Sequence, residues 1–317
     1  MKLSLLLAFA AVACNSETAA GPTGWQQLAS APQPLMGLHA EALGDKIYTF
    51  GGQVLGTGLG DPTDRVAVFD VNTGTWSEAA PMPTARGFLG TGVVDGMIYV
   101  IGGSPNMREY DAATDVVEVY DPAADEWRLA PPLPVGRADL TASVVDGRIY
   151  AIGGTEHVAV DALGVVEMYD PATGVWTRRA DMPTPRLHLT GVAYKGEIYV
   201  IGGGPEWPVP LVTLEIYNPD TNTWRKGADM PTARTGIWAT ELNGKIYVAG
   251  GLSWENEALA TVEVYDPATD TWHAIPDMPT ARFLAAVTAV GGKLYVIGGA
   301  RTDYGSLDVV EVYEPDK

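Results

Sequence analysis

The stretch ADMPTARTGIWATELNGKIYVAGG, Ala228 to Gly251, decides the fold, together with TVEVYDPATDTW from Thr261 to Trp272 after a spacer. Its double glycine comes round six times: Gly51-Gly52, Gly102-Gly103, Gly153-Gly154, Gly202-Gly203, Gly250-Gly251 and Gly298-Gly299. Successive copies lie 51, 51, 49, 48 and 48 residues apart. A period near 50 residues is the mark of a repeat architecture in which each unit buries its faces only against neighbours.

Each unit reads as four strands. The first follows an arginine, as in Leu187 to Tyr194, and carries small residues suited to a crowded innermost position. A Gly-containing turn comes next (Asp95-Gly96, Asp146-Gly147, Lys195-Gly196, Asn243-Gly244, Gly291-Gly292). Such pairs are favoured in two-residue hairpins because both central residues need positive φ. The second strand is IYVIGG or a variant, and the third is VEVY or a variant, as in Val117–Tyr120 and Val262–Tyr265. An Asp-Pro turn, in which the aspartate caps and the proline presets φ, leads to the fourth strand at a tryptophan. The repeated Tyr and Trp are wedges for the wider outer part of the stack. The chain opens on an orphan Trp25 and ends on VEVYEPDK without a tryptophan, so the Trp25 strand is expected to complete the sixth unit. Closure removes sheet edges that invite aggregation.

From Trp25 onward the chain resembles the kelch-repeat family, on its double glycines and its repeated Tyr and Trp. The resemblance implies an all-β fold: a six-bladed β-propeller of four-stranded antiparallel blades, closed by the N-terminal strand. Arg86, Arg137, Arg186, Arg234 and Arg282 recur, but Leu35 stands in their place in the first blade, which predicts a looser mouth there.

Residues 1–13 read as a signal peptide, with Met1-Lys2 as a basic head and an apolar run from Leu3 to Ala13 too short to span a bilayer. Cys14 is the only cysteine and sits where a bacterial lipobox would place it, so it is the expected lipidation site. Ala11-Val12-Ala13 also suits ordinary secretion, and the alternative location is periplasmic or secreted. Residues 14–24 are a small, polar tether, and residues 25–317 form the propeller. Asn15 after the cysteine carries no acidic retention signal, which points to the outer membrane. With 20 basic and 39 acidic residues the chain is strongly acidic, which argues against nucleic acid.

Function is sought in what does not repeat. Three tryptophans fall outside the pattern, Trp207, Trp238 and Trp254, and they map with Tyr110 and Tyr304 to the face carrying the loops after the double glycines. His39, His157 and His188 map there as well, and Asp139 and His188 share one repeat position in neighbouring blades. Aromatics with Arg, Asp and His in a mouth are what a ligand site needs, so Arg137, Asp139, Arg186, His188, Trp207, Trp238, Trp254 and Tyr304 are the expected binding residues. No His/Cys cluster has zinc spacing, and neither a metal nor another cofactor is expected. The galactose oxidases share kelch-like blades, but their cysteine-tyrosine crosslink has no counterpart here. The leading expectation is a non-catalytic binding protein for a protein or glycan of the cell envelope. Sialic acid mutarotases, also kelch propellers, suggest the alternative, with Asp139, His188, Glu156 or Glu206 as acid–base groups. A third reading makes the propeller a structural part that uses its rim.

Overall fold

A computed structural model describes residues 24–54, 60–106, 113–157 and 161–315. The signal, Cys14, the tether as far as Thr23 and Tyr110 lie outside the described residues. Six four-stranded antiparallel sheets stand in a ring, each built from consecutive strands except the last. The first blade shows the plan: His39–Leu43 is innermost, then Lys46–Phe50, Val66–Asp70 and outermost Thr75–Ala79. The other innermost strands are Gly90–Val94, Thr141–Val145, Thr190–Tyr194, Trp238–Leu242 and Ala286–Val290. In the sixth blade the outer strand is Trp25–Gln27, antiparallel to Val310–Tyr313 with Trp25 opposite Tyr313. The predicted closure by the N-terminal strand is therefore present.

The core is divided. Six clusters lie between neighbouring blades: one joins Tyr99, Ile101 and Val117 to Leu140, Ile149 and Tyr169, and another joins Ile47 and Phe69 to Ile297 and Val310. Outer-strand tryptophans tie blades together by donating from the indole N–H to a carbonyl of the preceding blade. Trp127 reaches Ala80 and Trp272 reaches Ala228, both at 2.8 Å. Trp25 does the same to Pro276 at 2.9 Å, so the closing strand is held as its five equivalents are. The hairpin turns carry the positive φ anticipated for them, for example Asn243 at 54° and Gly244 at 80°.

The repeated arginines tie the strands of their blades to one another. All five are fully buried, and each pairs with a glutamate of the third strand: Arg86–Glu118, Arg137–Glu167, Arg186–Glu215, Arg234–Glu263 and Arg282–Glu311. Arg137, Arg186 and Arg282 close at 2.8, 2.9 and 2.6 Å. The same guanidinium clasps the end of the second strand to the start of the third: Arg234 donates to the carbonyls of Gly250 (2.9 Å) and Thr261 (2.8 Å). In four of the five a threonine two residues before the arginine adds a bond to the same carboxylate, as Thr232 does to Glu263 at 2.7 Å, while Val135 stands there beside Arg137. Each arginine carbonyl accepts the N–H of the preceding blade's second glycine, as in Gly251 to Arg282 at 2.9 Å. The first glycine must approach that carbonyl too: at Gly250, with φ +65°, a Cβ would stand 2.3 Å from the Arg282 oxygen. The expectation that Arg137 and Arg186 bind ligand is corrected here: both guanidinium groups are sealed from solvent, and their terminal nitrogens are held by a glutamate and backbone carbonyls within the blade. Burial lowers both to about 10, which leaves them charged at neutral pH.

The first blade shows what happens when this pair is absent. Leu35 replaces the arginine, and Ala67 stands at the glutamate's register position opposite the outer strand. Leu35 is buried in the apolar cluster between the sixth and first blades, and its carbonyl still accepts the N–H of Gly299 at 2.8 Å. Only a void of about 10 Å³ lies beside it, so the looser mouth expected for this blade is not found. Losing both charges together avoids a lone buried charge, the costly case. Replacing Arg234 by Met alone should accordingly cost about 3–5 kcal/mol, by stranding Glu263. The double variant Arg234→Met with Glu263→Leu should recover most of that loss, as read by urea denaturation of the three proteins.

Candidate functional site

Two residues after each arginine position the six blades converge on the axis. The residues there are Gly37, Phe88, Asp139, His188, Gly236 and Leu284, and all six have positive φ, between 50° and 63°. This backbone shape turns each N–H toward the preceding blade. Phe88 donates to Gly37 (2.8 Å), Asp139 to Phe88 (2.9 Å), His188 to Asp139 (3.0 Å), Gly236 to His188 (3.1 Å), Leu284 to Gly236 (2.8 Å) and Gly37 to Leu284 (3.0 Å). The six bonds form a closed circle, an iris across the end of the channel. Its side chains fill the opening: the Phe88 ring lies where a Cβ on Gly37 would be, and Phe88 and Leu284 belong to one apolar cluster with Phe283.

Asp139 and His188 are therefore members of the iris and not of an open mouth. His188 Nδ1 lies 3.1 Å from Asp139 Oδ1, and both side chains are buried. Desolvation raises Asp139 to about 8 and lowers His188 to about 3, so at pH 7 both are uncharged. The space beside them is about 10 Å³, too small for a sugar ring, which removes them as acid–base groups for such a substrate. Trp207 roofs the iris, with its ring 4.6 Å from His188 and 5.8 Å from Phe283.

Outside this roof lies a shelf. The loops after the double glycines pair with the arginine loops, as Leu252 does with Thr235 and Ala300 with Phe283, so both sets share one face as expected. On that face Trp254 is 62% exposed and Tyr304 38%. Their loops, from the fifth and sixth blades, are joined by Ala258 N–H to Thr302 Oγ1 at 2.9 Å and by Tyr304 to Asn256 at 3.4 Å. Tyr304 also packs edge-on against the buried Phe283 at 5.5 Å. Glu255 and Glu257 beside Trp254, Asp303 beside Tyr304 and Glu206 beside Trp207 in sequence are exposed, while Arg301 is held by Asp303 at 3.3 Å.

Trp238 is not on this face. It begins the innermost strand of the fifth blade, below the iris, and its ring meets His39 at 4.3 Å. The two come from blades separated by the sixth, which places the small Ala286 between them. Both line a central cavity of about 350 Å³, walled by the six innermost strands. On its wall Thr91 Oγ1 lies 2.6 Å from His39 Nδ1 and 2.6 Å from Glu41 Oε1. Desolvation raises Glu41 to about 7 and lowers His39 to about 4. Glu41 was missed in the sequence; the signal was a charged residue in a strand column otherwise filled by Gly92, Ser143, Val192, Thr240 and Thr288. No group of three or more His, Cys, Asp or Glu able to hold a metal occurs among the described residues.

The iris pair gives the molecule a pH signature. Because Asp139 titrates near 8 in the fold and near 3.9 in the unfolded chain, the fold holds the extra proton between those values, and Asp139 destabilises it as pH rises through them. His188 acts oppositely between about 3 and 6.5, where the unfolded chain holds the extra proton. The two offset each other at acidic pH, leaving Asp139 above about 6.5, joined only up to about 7 by the buried Glu41, which acts with the same sign. Asp139→Asn should thus flatten the fall in stability between about pH 6.5 and 8, measured as denaturation midpoints at both ends.

The family model described as the KLHDC2/KLHL20/DRC7 Kelch-repeats domain matches residues 141–316, and the Kelch motif matches 34–83 and 85–134. Kelch-like protein terF of Aspergillus terreus is 42% identical over 127 residues, which cover 38% of this chain and 28% of that protein. Human Kelch-like protein 33 is 32% identical over 132 residues, covering 41% of this chain and 24% of its own length. The chain thus spans well under half of these relatives. The solved structure of YjhT superposes with a TM-score of 0.77 at 17% identity, over 92% of this chain and 98% of that one, a likeness of fold. With family models covering both halves of the propeller, the chain belongs to the kelch-repeat family.

Proposed function

We propose that this protein is a non-catalytic, extracytoplasmic binding scaffold that docks a protein segment rich in lysine and arginine on the Trp254–Tyr304 shelf. The observation that carries the reading is the pair of large exposed aromatic surfaces on loops pinned to each other and to the packed iris. Rigid aromatic anchors dominate protein interfaces because they bury much area at little entropic cost. The acidic rim of Glu206, Glu255, Glu257 and Asp303 supplies charge complementarity, which steers and selects a basic partner. A glycan of the envelope is the competing ligand, since a flat indole also stacks on a sugar face. Export and membrane attachment through a lipid on Cys14 rest on the sequence of residues 1–14 alone.

Two experiments test this. Residues 21–317 are screened against arrays of basic and acidic peptides and of envelope glycans. Trp254→Ala and Tyr304→Ala should each weaken the best basic peptide at least tenfold, about 1.4 kcal/mol, with unchanged melting temperature. Selection of glycans alone would replace the protein partner by a carbohydrate, and binding indifferent to both substitutions would move the site off the shelf. In membrane fractionation of the expressing cells, Cys14→Ser should shift the full chain from the membrane pellet to the soluble fraction. Equal partition of the two proteins would remove the anchor.

A further inference from the structure

The second and fourth blades carry the same pair of donors in different company. Residues directly opposite one another across antiparallel strands share a face of the sheet. Tyr99, Val119 and Arg128 form such a row in the second blade, and Tyr199, Ile216 and Arg225 form it in the fourth. The rows from Tyr48, Tyr150, Tyr247 and Tyr295 end instead in Ser77, Thr177, His273 and Gln26, so only these two hold an arginine.

In the fourth blade Glu197, which opens the second strand, serves both donors. Arg225 donates to its Oε2 at 2.6 Å and Tyr199 to the same oxygen at 3.4 Å. In the second blade Met97 stands in that place. Arg128 accordingly has no ion pair among the described residues. Tyr99 is 4% exposed, and its Oη makes no hydrogen bond among the described residues although it is not sealed from water. A guanidinium beside a phenol O–H is a donor set for a carboxylate, whose shape the guanidinium fork matches. The fourth blade shows that set filled by a carboxylate of the chain itself.

Met97, Tyr99 and Arg128 all line a cleft of about 460 Å³ between the second and third blades, a volume in the range of small-molecule sites. Its other charges set what accompanies the carboxylate. Asp170 is already engaged, by Arg148 Nε at 3.5 Å and by the Ala172 N–H at 2.9 Å. Asp95 and Asp146, in the Gly-containing turns at its mouth, are exposed and have no ion pair among the described residues. A bare anion would gain Arg128 but face these two carboxylates, whereas an ammonium group on the same ligand turns that repulsion into attraction. Val94, Met97 and Pro171 add a stretch of apolar wall.

We propose that the cleft between the second and third blades is a binding site for a free α-amino acid with an apolar side chain. Its carboxylate does for Arg128 and Tyr99 what Glu197 does for Arg225 and Tyr199, and its ammonium group is held by the aspartates of the turns. Each innermost strand runs from its arginine loop to its Gly-containing turn, so the cleft opens on the face opposite the shelf. The site is independent of the partner proposed there.

Calorimetric titration of residues 21–317 with leucine, isocaproate, isoamylamine and glycine tests this, the last three lacking in turn the ammonium group, the carboxylate and the side chain. Leucine should bind once per chain and at least tenfold more tightly than each of the three. Met97→Glu should supply the carboxylate from within the chain, as in the fourth blade, and weaken leucine at least tenfold. Arg128→Met should do the same by removing the guanidinium, and Trp254→Ala should leave the affinity unchanged. Arg128 is exposed and Met97 half-buried, so both variants should keep the parent melting temperature. Should one of them not fold, the other and the four-probe series still decide. No binding of leucine, any of the three other probes binding as tightly, or full leucine affinity in either folded variant would each overturn the proposal.

Discussion

The circle of six backbone hydrogen bonds at the axis sets the geometry of everything around it. Each blade contributes one residue in the left-handed region, and each spends its N–H on one neighbour and its carbonyl on the other. No blade can turn or withdraw without breaking two bonds in an apolar surrounding, where nothing replaces them. The circle admits Gly, Asp and His, which tolerate this backbone shape, but also Phe88 and Leu284, for which it is strained. That strain is held by the apolar packing of both side chains beneath the Trp207 roof.

Outward from the axis the arginine–glutamate pairs act within blades while the glycine–arginine carbonyl bonds act between them, so one residue serves both directions. Buried pairs of this kind contribute little net stability compared with apolar packing, but they punish every arrangement that separates the partners. The first blade, with Leu35 and Ala67, demonstrates that the ring tolerates an apolar version provided both charges leave together.

Much of the fold was legible because its cause is local: the hairpin turns follow from Asn-Gly and Asp-Gly, the blade count from the double glycines, and closure from the orphan Trp25. The arginine–glutamate pairing was legible too, but only by comparing two columns: glutamate in VEVY appears wherever arginine precedes, and Ala67 accompanies Leu35. The iris was hidden because Gly37, Phe88, Asp139, His188, Gly236 and Leu284 share a backbone conformation and no side-chain chemistry. The binding residues divided for a related reason. Sequence places a residue on a face but does not say how deep it lies. Asp139 and His188 are drawn inside by the iris, Trp238 by its place in an innermost strand, while Trp254 and Tyr304 stay outside. Glu41 escaped notice because its environment is made by strands from other blades.

The closing strand has a mechanical consequence. Whatever precedes Gly24 joins the body through Trp25–Gln27, the three-residue strand that completes the sixth blade. Its grip consists of the pairing with Val310–Tyr313, the Leu28 and Ala31 N–H bonds to Val310 and Asp308, and the Trp25 indole on Pro276. A pull transmitted along the N-terminal segment is loaded on this latch before it reaches any other strand. The propeller would yield first at its own join, with five blades still intact behind it.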